Sequence, residues 1–211
     1  MLKTISCSLC GAVTKFYATF REKDYYRCLN CRSVMMDPAF FLTPTEEKKR
    51  YDQHNNDVND PRYRNFVQPL VDQVLDKFTA EAKGLDFGAG PGPVVAVLLR
   101  DKSFPVALYE PYYWDQPELL SQRYNYLVCS EVIEHFRVPQ HEFALLSSLL
   151  LPGGSLYCMT ELFRDDIDFS NWSYNTDPTH YFFYHRKAIE YIRSKYFKSL
   201  RIEGRVISFD L

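Results

Sequence analysis

Residues 84–93, GLDFGAGPGP, constrain this 211-residue chain more than any other stretch. Four glycines and two prolines surround one acidic residue, Asp86, just before the apolar run VVAVLL. The order is strand, glycine turn, helix start. Glycine lets a backbone turn sharply and come close to a ligand, and a helix N-terminus offers free N–H groups at its positive end. Gly88, Gly90 and Gly92, with Ala89 among them, are therefore candidate ligand-contacting positions. The spacing is G-x-G-x-G, and Pro93 stands where a dinucleotide fingerprint would place its third glycine. The following strand-like run, PVALYE, ends on Glu110. A carboxylate at the end of a second strand is placed to accept both hydroxyls of a ribose. The alternative is a plain tight turn, and the glycine cluster together with a correctly placed glutamate outweighs it.

From residue 83 onward, strand-like and helix-like runs alternate. Strands are expected at GLDF, PVALYE, YNYLVCS, GSLYCMTE, SLRIE and RVISFDL, and helices over 93–101, 139–151 and 186–196. This alternation predicts an α/β fold, a mostly parallel sheet covered by helices on both faces. Only a turn at Gly204 separates the last two strands, so they should be antiparallel. LLPGGSL is expected to stop a helix and turn into a strand, since glycine supplies the angles that end helices. Residues 44–79 are expected to be helical. TPTEEKKRYDQH opens with a threonine cap and early glutamates. Val67, Leu70, Val71, Val74, Leu75 and Phe78 recur at three- and four-residue spacing, with Pro69 expected in the first turn.

Four of the six cysteines form CSLC and CLNC: Cys7, Cys10, Cys28 and Cys31. Each two-residue knuckle aims two sulfurs at one tetrahedral centre, which predicts a four-thiolate zinc ribbon over residues 1–43. Two disulfides in a secreted scaffold are the alternative; a chain this long, with no apparent leader, argues against them. A closed four-sulfur shell leaves no open position, so the metal should be structural. Cys129 and Cys158 sit in apolar runs and read as buried thiols. A net charge of −2 gives no global attraction to nucleic acid, and the longest apolar run is too short to span a bilayer. The chain is expected to be soluble and cytoplasmic. Aromatic residues make up 16%, which suggests either a ring-walled pocket or an aromatic core.

Residues 50–211 resemble the class I S-adenosylmethionine-dependent methyltransferases. LDFGAGPG is similar to their first motif, LYEPYY to the second, and YNYLVCSEVIEHF and LLPGGSLYCMT to two later segments, in the right order. The resemblance implies a Rossmann-like doubly wound sheet with an antiparallel last strand. It implies S-adenosylmethionine as cofactor. Asp86, Gly88 and Gly90 would line its methionine end, Glu110 would bind the ribose, and Tyr112, next to Pro111, would lie beside adenine. Glu131 and His135 would stand at the edge of the methyl-transfer site. Four-cysteine ribbons precede some similar methyltransferases that act on sugars or ribosomal RNA. The sequence departs from the pattern in one place. Only residues 111–123 separate Glu110 from the next strand, so the third strand should be missing or rudimentary, along with its acidic adenine contact. Tyr112, Tyr113 and Trp114 are the expected replacements, with Asp115 as a further acidic candidate.

The donor methyl is already activated, so the protein mainly has to align the acceptor. A base is needed only for a hydroxyl or a carbon acid. Two segments carry candidates. In SEVIEHF, Glu131 and His135 are four residues apart. In the polar-aromatic loop 171–185, Asp177 and His180 are a candidate orienter and base, and Trp172, Tyr174, Tyr181 and Phe182 are rings able to wall an acceptor. For either histidine a structural hydrogen bond is the plainer reading. Tyr51, His54 and Tyr63 belong to a helical segment, 44–79, that would close as a lid over the main domain, 80–211. The leading expectation is a methyltransferase for a small-molecule or sugar-containing acceptor. An RNA methyltransferase gripping RNA with its ribbon would need a basic stripe, which near-neutral charge disfavours. A cofactor-binding regulator without chemistry is the non-enzyme alternative.

Overall fold

A computed structural model describes residues 5–53 and 56–211. In chain order the elements are β1 (Thr14–Phe20), β2 (Lys23–Cys28), β3 (Val34–Met36), α1 (Pro44–Tyr51), α2 (Pro61–Lys77), β4 (Gly84–Phe87), α3 (Val94–Arg100), β5 (Val106–Tyr109) and β6 (Tyr124–Ser130). They continue with α4 (Pro139–Ser148), β7 (Leu150–Met159), β8 (Phe182–Phe183), α5 (Arg186–Tyr196), β9 (Ser199–Glu203) and β10 (Val206–Asp210).

The larger sheet has the order β5-β4-β6-β7-β10-β9. β4 pairs in parallel with β5 and β6, and β6 with β7, while β10 runs antiparallel to both β7 and β9. This is the expected parallel core with a reversed last strand. Among the described residues no strand forms between Glu110 and Tyr124; a single 3-10 turn, Pro117–Ser121, occupies the gap. All four residues of β4 are buried, as a strand covered on both faces requires. Alternation along β6 sends Tyr126 and Val128 into the cluster beneath α2 and α3, and Leu127 and Cys129 into the one beneath α4 and α5. Cys129 lies directly opposite Cys158; both are buried and unbridged, as read from the sequence.

Three local expectations need correction. Pro69 is not in a first turn. Asp60 caps α2 by accepting from the Arg62 N–H at 2.9 Å, so Pro61 opens the helix and Pro69 lies inside it. Its side chain faces solvent, where water can serve the carbonyl that loses its partner. The helix expected over 139–151 ends at Ser148, and the Pro-Gly-Gly segment lies within β7. There Tyr124 already bonds the Leu149 carbonyl, and the β6–β7 register shifts between Tyr124 and Tyr126.

The third correction is larger. The ribbon strands do not stand alone: the smaller sheet has the order β1-β2-β3-β8, and β8 comes from the long loop after β7. Cys7, Leu9, Tyr26, Cys28, Cys31 and Met35 share one apolar cluster with Leu127, Phe143 and Ile189. Ribbon and main domain therefore have a common core rather than the separate ones that a small N-terminal appendage suggests. No helix among the described residues is long and apolar enough to cross a membrane.

Candidate active site

The turn after β4 folds back onto β5, where the Gly88 and Ala89 N–H groups donate to the Tyr109 carbonyl. Gly88 and Gly90 adopt φ of +81° and +60°, which only glycine holds without strain. What comes close to this backbone is in part the protein itself. A Cβ on Gly88 would meet Val132 at 2.6 Å, and one on Gly92 would meet the Asn56 carbonyl at 1.8 Å. At Gly90 the nearest atom would be Asn56 Nδ2, at 3.4 Å. The Trp114 indole donates to the Gly90 carbonyl at 2.8 Å. Trp114 thus braces the turn from behind and does not line the cavity, and Asp115 is solvent-exposed and also outside it.

Above the carboxyl ends of β4, β5 and β6 lies a cavity of about 650 Å³. Asp86, Gly88, Ala89, Gly90, Gly92, Glu110, Pro111, Tyr112 and Glu131 all line it, as does Tyr113; of the positions singled out for cofactor contact, Trp114 and Asp115 do not. His135 and His180 line it too, as do Tyr51 and Tyr63; His54 lies outside the described residues. The carboxylates on its wall are held in different ways. Burial pushes Asp86 up to about 7. Glu110 is also raised by burial, and its Oε1 accepts the Tyr112 N–H at 3.0 Å. Glu131 sits at φ +53° and receives Arg205 on both oxygens, at 2.9 and 2.8 Å. The same guanidinium reaches Glu161 at 2.8 Å, and the Trp172 indole donates to that carboxylate from the other side. Burial still outweighs Arg205 and keeps the Glu131 carboxyl above its usual range.

Two histidines face each other across the cavity edge, ring centres 4.8 Å apart. His135 ends a 3-10 turn, Ile133–His135, and its Nδ1 lies 2.9 Å from the Thr179 carbonyl. His180 Nδ1 lies 2.7 Å from the Tyr174 carbonyl. A carbonyl only accepts, so each Nδ1 carries the proton, and Nε2 is the basic nitrogen of each neutral ring. Behind them Glu134 is fully buried, its oxygens taken by the Tyr174 hydroxyl and, at 3.1 Å, by Thr160. Burial, reinforced by the nearby Glu131, pushes its carboxyl up to about 8. Glu134, His135 and His180 each bring a nitrogen or oxygen within 4.8 Å of the others.

Two expectations about the loop 171–185 fail here. Asp177 does not orient His180 through Nδ1, a task that falls to the Tyr174 carbonyl. The Asp177 carboxylate instead takes Arg50 at 2.7 Å and the Thr179 N–H at 2.9 Å, tying α1 to the loop outside the cavity. Nor do the loop's rings wall the cavity. Trp172, Tyr181 and Phe182 are buried in the core, Tyr174 points its hydroxyl at Glu134, and among the described residues only His180 of this loop lines the space. Several wall residues had no sequence signal: Glu47, Asn56, Arg137, Glu142 and Leu145. Glu47 is buried and joins the Tyr112 hydroxyl, at 2.8 Å, to Arg137, at 3.1 Å. A polar residue on a short amphipathic helix looks like any solvated residue until its partners, 65 and 90 positions away, are known.

The four ribbon cysteines come together as the spacing requires. Cys7 and Cys31 sulfurs lie 3.7 Å apart, Cys10 and Cys28 3.4 Å, and all four fall within 4.8 Å of one another. With zinc–sulfur bonds of about 2.3 Å, the edge of a tetrahedral site is about 3.8 Å. The donor set and its spacing fit that metal.

A curated relative, the ubiquinone biosynthesis O-methyltransferase of Photorhabdus laumondii, is 25% identical over 91 residues; the match spans 43% of this chain and only 38% of that protein. An O-methyltransferase family protein from Burkholderia thailandensis has a similar structure (TM-score 0.52, 18% identity, 82% of this chain and 62% of the other). So does a 1,6-didemethyltoxoflavin-N1-methyltransferase from the same organism, solved with 1,6-didemethyltoxoflavin and S-adenosylhomocysteine (TM-score 0.54, 13% identity, 93% and 98% covered). At such identities these neighbours establish the fold. A sequence profile of the family described as methyltransferase domain matches residues 59–196, well over half of the chain, and the chain belongs to that family.

Proposed function

We propose that this protein transfers a methyl group from S-adenosylmethionine to a small-molecule or sugar-containing acceptor. One observation carries the reading: a single cavity gathers the glycine turn, Asp86 and Glu110 on one wall and His135 and His180 on another. Its volume of about 650 Å³ lies in the range of small-molecule sites. In this reading Asp86 and the glycine turn hold the amino-acid end of the cofactor, Glu110 takes the ribose hydroxyls, and Tyr112 covers the adenine. Bound there, S-adenosylmethionine supplies an activated methyl for in-line displacement. The protein's part is alignment, water exclusion and, for a hydroxyl or carbon acid, removal of one proton. His180 Nε2 takes that proton, and the Tyr174 carbonyl holds the ring in the tautomer that can accept it. His135 and Glu131 stand beside the same point. The four ribbon cysteines hold a structural zinc, and the protein works in the cytoplasm, where thiolates stay reduced.

The test is calorimetry with S-adenosylhomocysteine. The wild-type chain should bind it, and Glu110→Ala should weaken binding by about 1–3 kcal/mol, the usual loss when charge-assisted hydrogen bonds go. Preferential binding of a nicotinamide dinucleotide, or indifference to Glu110→Ala, defeats the reading.

A further inference from the structure

One buried residue, Glu134, holds the loop 171–185 on both sides of His180. Tyr181, the next residue, donates its N–H to the Glu134 carbonyl at 2.9 Å. Tyr174, six positions earlier, donates its hydroxyl to the Glu134 carboxylate and shares a 2.8 Å hydrogen bond with the Thr160 hydroxyl. Both anchors are buried and belong to the sheet. Thr160 follows β7 directly, and Glu134 lies in the 3-10 turn Ile133–His135 just after β6. The far end of a half-buried loop side chain is thereby fixed to rigid structure. Its near end meets the histidine. Tyr174 belongs to the 3-10 turn Ser173–Thr176, and its carbonyl takes the proton of His180 Nδ1 at 2.7 Å. The two rings also pack together, with centres 4.4 Å apart.

Which nitrogen of a neutral histidine carries the proton is set by the partner that the ring meets. A loop carbonyl can set it only while the loop stays in place, because a hydrogen bond of this length weakens steeply once its partners shift or tilt. On the reading that His180 Nε2 takes the acceptor's proton, we propose that Tyr174 is a positioning residue for that base. Its hydroxyl, pinned by Glu134 and Thr160, fixes the carbonyl that keeps His180 in the Nδ1–H form. His135 supplies an internal contrast. Its Nδ1 meets the Thr179 carbonyl at 2.9 Å, and Thr179 is held in turn by the Asp177 carboxylate, which accepts its N–H at 2.9 Å. No atom of Tyr174 takes part in those bonds, so the two histidines are oriented by separate devices.

Nitrogen-15 NMR of the imidazoles tests this without an acceptor, on the alkaline side where neutral rings report their tautomers. In the wild-type chain His135 and His180 should both show the Nδ1–H form. Tyr174→Phe keeps the ring and the carbonyl and removes the pin, and Thr160 still donates to Glu134 at 3.1 Å, so neither anchor is left bare. The His180 tautomer ratio should then move toward Nε2–H by about 3- to 10-fold, the usual worth of one neutral hydrogen bond, while His135 stays unchanged. Thr160→Val should move His180 the same way by less, since Glu134 still accepts from Tyr174; it decides the matter if Tyr174→Phe does not fold. S-adenosylhomocysteine affinity, measured by calorimetry, should stay within about 2-fold in both variants, as for sites that share no partner. A wild-type His180 already in the Nε2–H form, a His180 unmoved in the variants, or a His135 that shifts in step with it each overturns the proposal. A wild-type chain that does not bind S-adenosylhomocysteine, with the tautomer shift intact, overturns the functional reading instead and leaves Tyr174 as the residue that orients His180.

Discussion

The two walls of the cavity were built by opposite means. The wall formed by β4, its glycine turn and β5 is local: Asp86, the glycines and Glu110 all fall within 25 residues, and each does what its neighbours in sequence dictate. The wall formed by His135 and His180 is assembled from afar. Tyr181, next to His180, donates to the Glu134 carbonyl and accepts from Met36 at the end of β3, and β8 then pairs with that ribbon strand. The first wall depends on backbone angles, the second on the ribbon. On the proposed function, a short local motif would hold the nucleoside while a scaffold tied to the cysteine ribbon would aim the base.

Metal removal should strain this contrast most. A chelator, or Cys28→Ser with Cys31→Ser, should cost more than about 5 kcal/mol of stability at pH 7, because metal binding is folding energy in such ribbons. Hydrogen exchange at Tyr181 and Phe182 should accelerate together with that of β3, while S-adenosylhomocysteine binding by the surviving folded fraction changes by less than about 5-fold. Unchanged protection at Tyr181 after the zinc is gone would show that the ribbon does not hold the loop.

His180→Ala comes next. Turnover of a hydroxyl acceptor should fall about 10²–10⁴-fold, with cofactor affinity nearly unaltered. A parallel drop in cofactor binding, measured by the same calorimetry, would merge the two walls into one structural unit.

Glu134 offers the smallest and most graded effect. Its carboxyl is raised to about 8 in the folded chain, against an ordinary value near 4.5. The folded state therefore holds the proton more tightly than the unfolded one. The stabilisation is complete below about 4.5 and is lost as pH rises toward 8. Asp86, raised to about 7, adds a loss of the same sign over the lower part of that window. Relative to wild type, Glu134→Gln should gain up to about 1.4 kcal/mol per pH unit between pH 5 and 8. Parallel stability curves for the two proteins would show that the carboxyl titrates normally.

The same contrast explains how much was legible in the sequence. The alternation of strands and helices, the antiparallel last pair, both cysteine knuckles and Glu110 at the end of its strand follow from periodicity and short spacings, whereas the doubly wound order, the missing third strand and the place of Asp86 come from the resemblance to class I methyltransferases. Asp177 and the rings of the 171–185 loop were misassigned because a polar-aromatic loop has the same composition whether it lines a cavity or packs into a core. Only the pairing of β8 with β3 decides that Trp172 and Phe182 turn inward, and that pairing joins residues nearly 150 positions apart. Glu142 and Arg205 were invisible for the same reason, since their meaning lies in what faces them.

The absent third strand has one further consequence, for solubility. It leaves β5 as a sheet edge, and an exposed parallel edge invites pairing with another chain. The Pro105 carbonyl is spent on Gly84 of β4, so the next one, on Val106, points outward. The Arg100 guanidinium covers it at 2.5 Å. The strand is four residues long, follows a proline and is flanked by the 3-10 turn. Arg100→Ala would uncap that carbonyl and leave a free backbone acceptor on the β5 edge, where a neighbouring strand would otherwise have paired.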